Sequence, residues 1–150
     1  MPVLNSFLRI TRHPYEEPHA LDLTVIASNG RVQTQMEVYV MAVDLSRAAR
    51  ALWRFPHEPG DEFLWEIGSE NREDRWAYYY RFRVFEVEPT GLCAIEIKFN
   101  NNQDPPFQEI SEFCIQAQPA DLDRLSVLLD RFSKLEHEIL EWTVQDGELR

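Results

Sequence analysis

Asn29-Gly30 lies between two stretches in which apolar and polar residues alternate, and this feature limits the fold more than any other in the chain. Asn-Gly at a two-residue turn suits a tight hairpin, because both residues tolerate positive φ. With Ser28 opposite Arg31, the turn puts Ala27 opposite Val32, Val25 opposite Thr34, Leu23 opposite Met36 and Leu21 opposite Val38, all on one face. Asp22, Thr24 and Ile26 then face Glu37, Gln35 and Gln33 on the other. A one-residue slip would exchange the two faces, so turn and pattern agree. The Asp22/Glu37 pair is the one objection, since like charges across strands repel.

The same period of two recurs along the chain. Phe7 to Arg12 reads as a short strand. Phe63, Trp65 and Ile67 alternate with Leu64 and Glu66, and Cys93, Ile95, Ile97 and Phe99 with Ala94, Glu96 and Lys98. Phe113, Ile115 and Ala117 point inward on another strand, and Leu140, Trp142 and Val144 mark a last one. Trp76, Tyr78, Tyr80, Phe82 and Val84 share one strand face, opposite Ala77, Tyr79, Arg81 and Arg83. Phe85 and Val87 then become the apolar positions, which predicts a bulge at Val84-Phe85. Helical spacing appears twice. Leu45, Ala48, Ala49, Leu52 and Phe55 follow Asp44 as an N-cap and end at Pro56. Leu122, Leu125, Leu128, Leu129, Phe132 and Leu135 follow Pro119.

The order β-ββ-α-ββββ-α-β predicts an α+β fold, a mostly antiparallel meander of about 7–8 strands with two helices packed on it. At 150 residues, 44% of them hydrophobic and 12% aromatic, the chain has material for one domain and one core. The segment 145–150 reads as a loose tail. No apolar run approaches the roughly 20 residues of a membrane helix. Met1 to Phe7 has no basic region leading into an apolar one, so a cytoplasmic protein is expected, with Cys93 and Cys114 reduced. Cys93 falls on an apolar face and Cys114 on a more polar one.

Net charge is −11. Such a surface repels nucleic-acid phosphates and anionic membranes, so neither is an expected partner; a binding role calls for a basic protein. The carboxylates are concentrated in two segments. Pro56 to Arg75 holds seven against two arginines, and Ala120 to Arg150 eight against four basic residues. If these segments meet, they form one acidic face.

Nucleophile elbows, phosphate loops, dinucleotide fingerprints and zinc pairs are absent. No catalytic residue, metal ligand or cofactor is therefore assigned, and the chain reads as non-enzymatic. Weaker groupings remain. His13, Glu16, Glu17 and His19 bracket a Pro-containing loop, ordinarily a strand connection but also a set that can ligate a metal. The loop Gly68 to Arg75 pairs carboxylates near Glu66, ordinarily a solvated arrangement. Asn100 to Asp104 is an amide-rich loop that either builds turns or binds a ligand. Tyr79, Arg81 and Arg83 project from the face opposite the aromatic one and suit a protein contact or self-association. The partner-binding candidates are thus Glu58, Asp61, Glu62, Glu70, Glu73, Asp74, Tyr79, Arg81 and Arg83.

The strand ending in Ser28-Asn29-Gly30, the passage from Val40 to Phe55-Pro56 and the Phe113-to-Leu135 strand-helix unit resemble small bacterial immunity proteins of the wall-associated-toxin (WapI-type) group and related uncharacterised families. That resemblance implies a cytosolic protein that neutralises a toxin by binding it, and brings no catalytic residues. Two other readings stay open: an enzyme or small-ligand protein, signalled by a deep pocket lined by Trp65, Trp76, Tyr78 or Tyr80, and a homo-oligomeric structural protein.

Overall fold

The computed structural model describes residues 6–15, 17–18 and 20–150. Glu16 and His19 lie outside the described residues, so the His13–His19 grouping is described only in part. The alternating stretches form β1 (Ser6–His13), β2 (Leu21–Asn29), β3 (Gln33–Val40), β4 (Glu62–Gly68), β5 (Tyr79–Glu86), β6 (Cys93–Asn100), β7 (Ile110–Ala117), β8 (Ile139–Thr143) and β9 (Gly147–Leu149). The helical stretches form α1 (Ala42–Leu52) and α2 (Pro119–Phe132). This is an α+β fold with the expected element order and one additional strand.

The strands divide into two antiparallel sheets. One has the order β3-β2-β1-β8-β9, the other the meander β4-β5-β6-β7. The division comes from β8, which returns to pair with β1 (Ile10 opposite Leu140). Such a long-range pairing leaves no trace in local periodicity. Residues 147–149 continue it as β9 on β8, with Leu149 opposite Leu140, so the expected loose tail is hydrogen-bonded structure.

The inner faces of both sheets and the apolar stripes of both helices share one hydrophobic cluster, including Leu23, Val38, Leu45, Leu52, Phe82, Ile95, Leu125 and Trp142. Burial of these side chains, at about 25 cal/mol per Å² of apolar area, is what stabilises the fold. Trp142 is fully covered, and its indole N–H donates to the Asp121 carbonyl at 2.9 Å. The helices are joined by Ser126, whose buried hydroxyl donates to the Ala49 carbonyl at 2.5 Å.

Three local expectations need correction. The hairpin exists, but Ala27 pairs with Thr34, Val25 with Met36 and Leu21 with Val40, two residues from the expected register. Asn29 stands opposite Val32 instead of starting the loop; its side chain accepts from the amides of Arg31 and Val32 at 3.0 and 2.8 Å, and Gly30 takes φ 90°. The turn is therefore Gly30-Arg31, with glycine first. A two-residue shift keeps every side chain on its face, and it moves Asp22 opposite Tyr39, away from Glu37. Secondly, Asp44 is not the N-cap. Met41 is, and the Asp44 carboxylate in the first turn accepts from its amide at 2.8 Å. Thirdly, β5 begins at Tyr79 and runs without a bulge through Phe85, which pairs with Glu62 and Ala94. Trp76 lies before the strand and is half exposed.

A buried arginine ties the sheet to the loop after α2. On β1, Arg12 donates from Nε to the His137 carbonyl at 2.9 Å and from Nη2 to the Leu135 carbonyl at 3.2 Å, while Nη1 pairs with Glu17. Among the described residues, no helix is long and apolar enough to cross a membrane.

Candidate functional site

Alternation along β5 sends Tyr80, Phe82 and Val84 into the core and leaves Tyr79, Arg81, Arg83 and Phe85 on the opposite, outer face. Register then decides their neighbours. Arg81 sits between Glu66 on β4 and Lys98 on β6; Arg83 sits between Leu64 and Glu96. On β7, Cys114 lies opposite Glu96 and Glu112 opposite Lys98. Two cations facing each other across strands repel, and carboxylates are drawn in around them.

The result is a continuous ladder. The Tyr79 hydroxyl donates to Glu66 Oε2 at 2.5 Å and accepts from Arg81 Nε at 3.0 Å. Arg81 Nη1 donates to Glu96 Oε1 at 2.8 Å, and Arg83 holds both oxygens of Glu96 through Nε and Nη2 at 3.3 and 3.1 Å. Such forked contacts are the stronger class of charge-assisted bond. Lys98 and Asn100 share Glu70, at 3.1 and 2.8 Å. At the margins, Glu62 is 3.5 Å from Arg83 and Glu112 is 3.5 Å from Arg81.

The protonation states follow. Hydrogen bonds from Arg83 and then Arg81 hold Glu96 below the usual carboxylate range against the opposing effect of burial. Asn100 and then Lys98 do the same for Glu70. Burial pushes the Tyr79 phenol up, and bonding to Tyr79 and Glu96 pushes Arg81 up. At neutral pH Glu96 and Glu70 are ionised, Arg81 and Arg83 charged and the Tyr79 phenol protonated. The face can recognise charge and shape, and its central groups are already committed to one another.

Of the expected partner-binding residues, Glu62, Glu70, Tyr79, Arg81 and Arg83 come together here. Tyr79 is only 5% exposed, beneath Glu66 and Arg81, so it orders the surface instead of offering its ring. Outward apolar groups are Leu64 on β4, 48% exposed, and Ile110 on β7, 50% exposed. Glu58, Asp61, Glu73 and Asp74 belong to the flanking turns. Asp61 accepts from the amides of His57 and Glu62, both at 2.9 Å, and Asp74 accepts from the Ser69 hydroxyl at 2.6 Å. Glu96, Lys98 and Glu112 were not singled out from the sequence. The hairpin turn at Pro89-Thr90-Gly91 was the available signal, because pairing across it brings Glu96 opposite Arg83.

The two acidic segments share α1 as a neighbour: β4 rests on α1, and α2 rests on α1, β8 and β9. The Asn100–Asp104 loop is structural. Asn102, at φ 55°, donates to the carbonyls of Ser69 and Trp76 at 2.9 and 3.0 Å, and Arg72 pairs with Asp104 at 2.9 Å. The amides thus staple the loop after β4 to the loop after β6. Among the described residues, no three His, Cys, Asp or Glu are placed to hold a metal ion.

The aromatics do not converge on a pocket. Trp65 and Tyr80 line a small apolar cavity of about 30 Å³ at the junction of both sheets and both helices. Lined in this way, it suits no polar ligand. Trp76 is half exposed, and the Tyr78 hydroxyl accepts from the Tyr39 amide at 3.2 Å. A surface groove between α1 and α2 is lined by Arg50, Trp53, Val127 and Asp130. Compared with known proteins, the chain matches no family model, no curated protein and no solved structure.

Proposed function

We propose that this chain is a non-enzymatic binding protein that docks a basic protein on the outer face of the four-stranded sheet, in the manner of an immunity protein neutralising a basic toxin. The observation that supports it is the ladder itself, on a chain of net charge −11. Glu96 occupies the arginines from within, while the side chains of Glu62 and Glu112 remain 47% and 53% exposed at its margins. An approaching partner therefore meets carboxylates around a pre-ordered centre, with Leu64 as an apolar contact. Order established before binding lowers its entropic cost, and the acidic rim steers a cationic surface inward. Cytoplasmic residence belongs to this proposal.

The test is calorimetric titration with the purified product of the neighbouring gene, if that product is basic. The expected result is a one-to-one complex that weakens as salt rises, and that Glu62→Lys and Glu112→Lys each weaken by about tenfold without lowering the melting temperature. Absence of a complex at low salt, or binding indifferent to both salt and these reversals, would overturn it.

A further inference from the structure

β3 is the terminal strand of the five-stranded sheet and is eight residues long. Its outward hydrogen-bonding groups can be identified from the hairpin. The Asn29 amide donates to the Val32 carbonyl, which marks that pair as hydrogen-bonded. Antiparallel pairs alternate, so Thr34, Met36, Val38 and Val40 exchange bonds with β2, while Gln33, Gln35, Glu37 and Tyr39 direct N–H and C=O away from the sheet. The Tyr39 amide is taken by Tyr78 at 3.2 Å. Among the described residues, Gln33, Gln35 and Glu37 have no main-chain partner on that side.

Of the other terminal strands, β9 has three residues, β7 lies against β2, and β4 lies next to α1. An exposed edge is a template for another strand, and charged side chains, lysine above all, proline or a bulge commonly blunt it; the one charge on β3 is Glu37. The sequence of β3, QTQMEVYV, has no lysine, proline or glycine.

We propose that β3 pairs antiparallel with β3 of a second copy, about a two-fold axis at Gln35, joining two five-stranded sheets into one. The open stretch is self-complementary. Gln33 meets Glu37 of the other copy and Gln35 meets Gln35, so no like charges stand opposite. About six main-chain hydrogen bonds form across this axis. Tyr78 sets the register. Beyond Glu37 of one copy, where Tyr78 stands over Tyr39, the other copy turns away at Gly30-Arg31 into its own β2. A slide of two residues in one direction loses a pair, and in the other meets Tyr78. Because each copy carries −11, salt strengthens this association by screening, opposite in sign to the salt dependence of docking a basic protein.

Sedimentation equilibrium at about 50 and about 500 mM salt tests it, spanning weak and strong screening. The wild-type chain is expected at twice its 17.7 kDa mass, more tightly at the higher salt. Gln35→Pro deletes an outward donor that β2 does not use, and prolines are tolerated at such edge positions. It is expected to give a single-chain mass with an unchanged circular dichroism spectrum and melting temperature. Should that variant melt lower, Gln35→Lys decides instead, since it sets two lysines against each other on the axis and leaves the β2 pairing intact. A single-chain mass for the wild type at both salt concentrations would overturn the proposal, as would a dimer that survives the deciding variant. A wild-type monomer whose β3 amides become protected only when the basic protein is added would also overturn it, and would assign the edge to that partner.

Discussion

Arg12 is a residue whose role periodicity could not supply. On β1 it is in phase with the inward Leu8 and Ile10, and a charged side chain is held there at 9% exposure because its guanidinium reaches two carbonyls and Glu17 at once. Lysine carries one point of charge in place of a planar fork. Arg12→Lys is expected to lower stability by about 2 kcal/mol in chemical denaturation, through the carbonyls left unsatisfied. Two glycines make a second comparison. Gly68 has φ +81°, and a Cβ there would lie 2.0 Å from the Tyr78 carbonyl oxygen. Gly60 has φ +77° with nothing within 4 Å of its Cβ position. Gly60→Ala is expected to cost about 1 kcal/mol, the conformational penalty alone. Gly68→Ala carries the clash as well and should cost about 2 kcal/mol or more. Equal losses in thermal melts would contradict the close approach at Gly68.

At the scale of elements, strand order and inward faces were legible, because burial on one side imposes a period of two whatever the partner strand. Register was less so. The β2–β3 pairing lay two residues from the expected one, since a shift of two preserves every face and the alternatives differ in the Asn29 side-chain bonds and in the Asp22/Glu37 repulsion. The candidate site was half legible for the same reason: Tyr79, Arg81 and Arg83 were readable on β5, while Glu96 and Lys98 required the pairing of β5 with β6. Glu96 also gives the ladder a pH signature. A carboxylate held below its unfolded value contributes stability that is fully present above that value, and is lost as pH falls through the lower, folded one. For Glu96 and Glu70 the loss therefore begins near pH 4.5, the ordinary value, and proceeds downward. Glu96→Gln is expected to cost about 1–2 kcal/mol at pH 7, a gap that narrows in urea titrations as pH drops below about 4. A gap of constant size from pH 7 to pH 3 would contradict the assignment.

For the whole molecule, the prominent sequence property was its charge, and the sequence left the placement of that charge open. The carboxylates of β4 and the turns that flank it are partly absorbed by Arg83, Lys98 and local backbone, while α2 shares the neighbour α1 with β4 and also rests on β8 and β9. On the four-stranded sheet that charge forms a rim of carboxylates around an ordered surface, with the α1–α2 groove as a separate alternative for contact. Amide chemical-shift mapping during titration with the basic partner distinguishes them. The docking proposal predicts that the largest shifts fall on Glu62, Leu64, Arg81, Arg83, Glu96 and Glu112. Shifts confined to Arg50, Trp53, Val127 and Asp130 would contradict it.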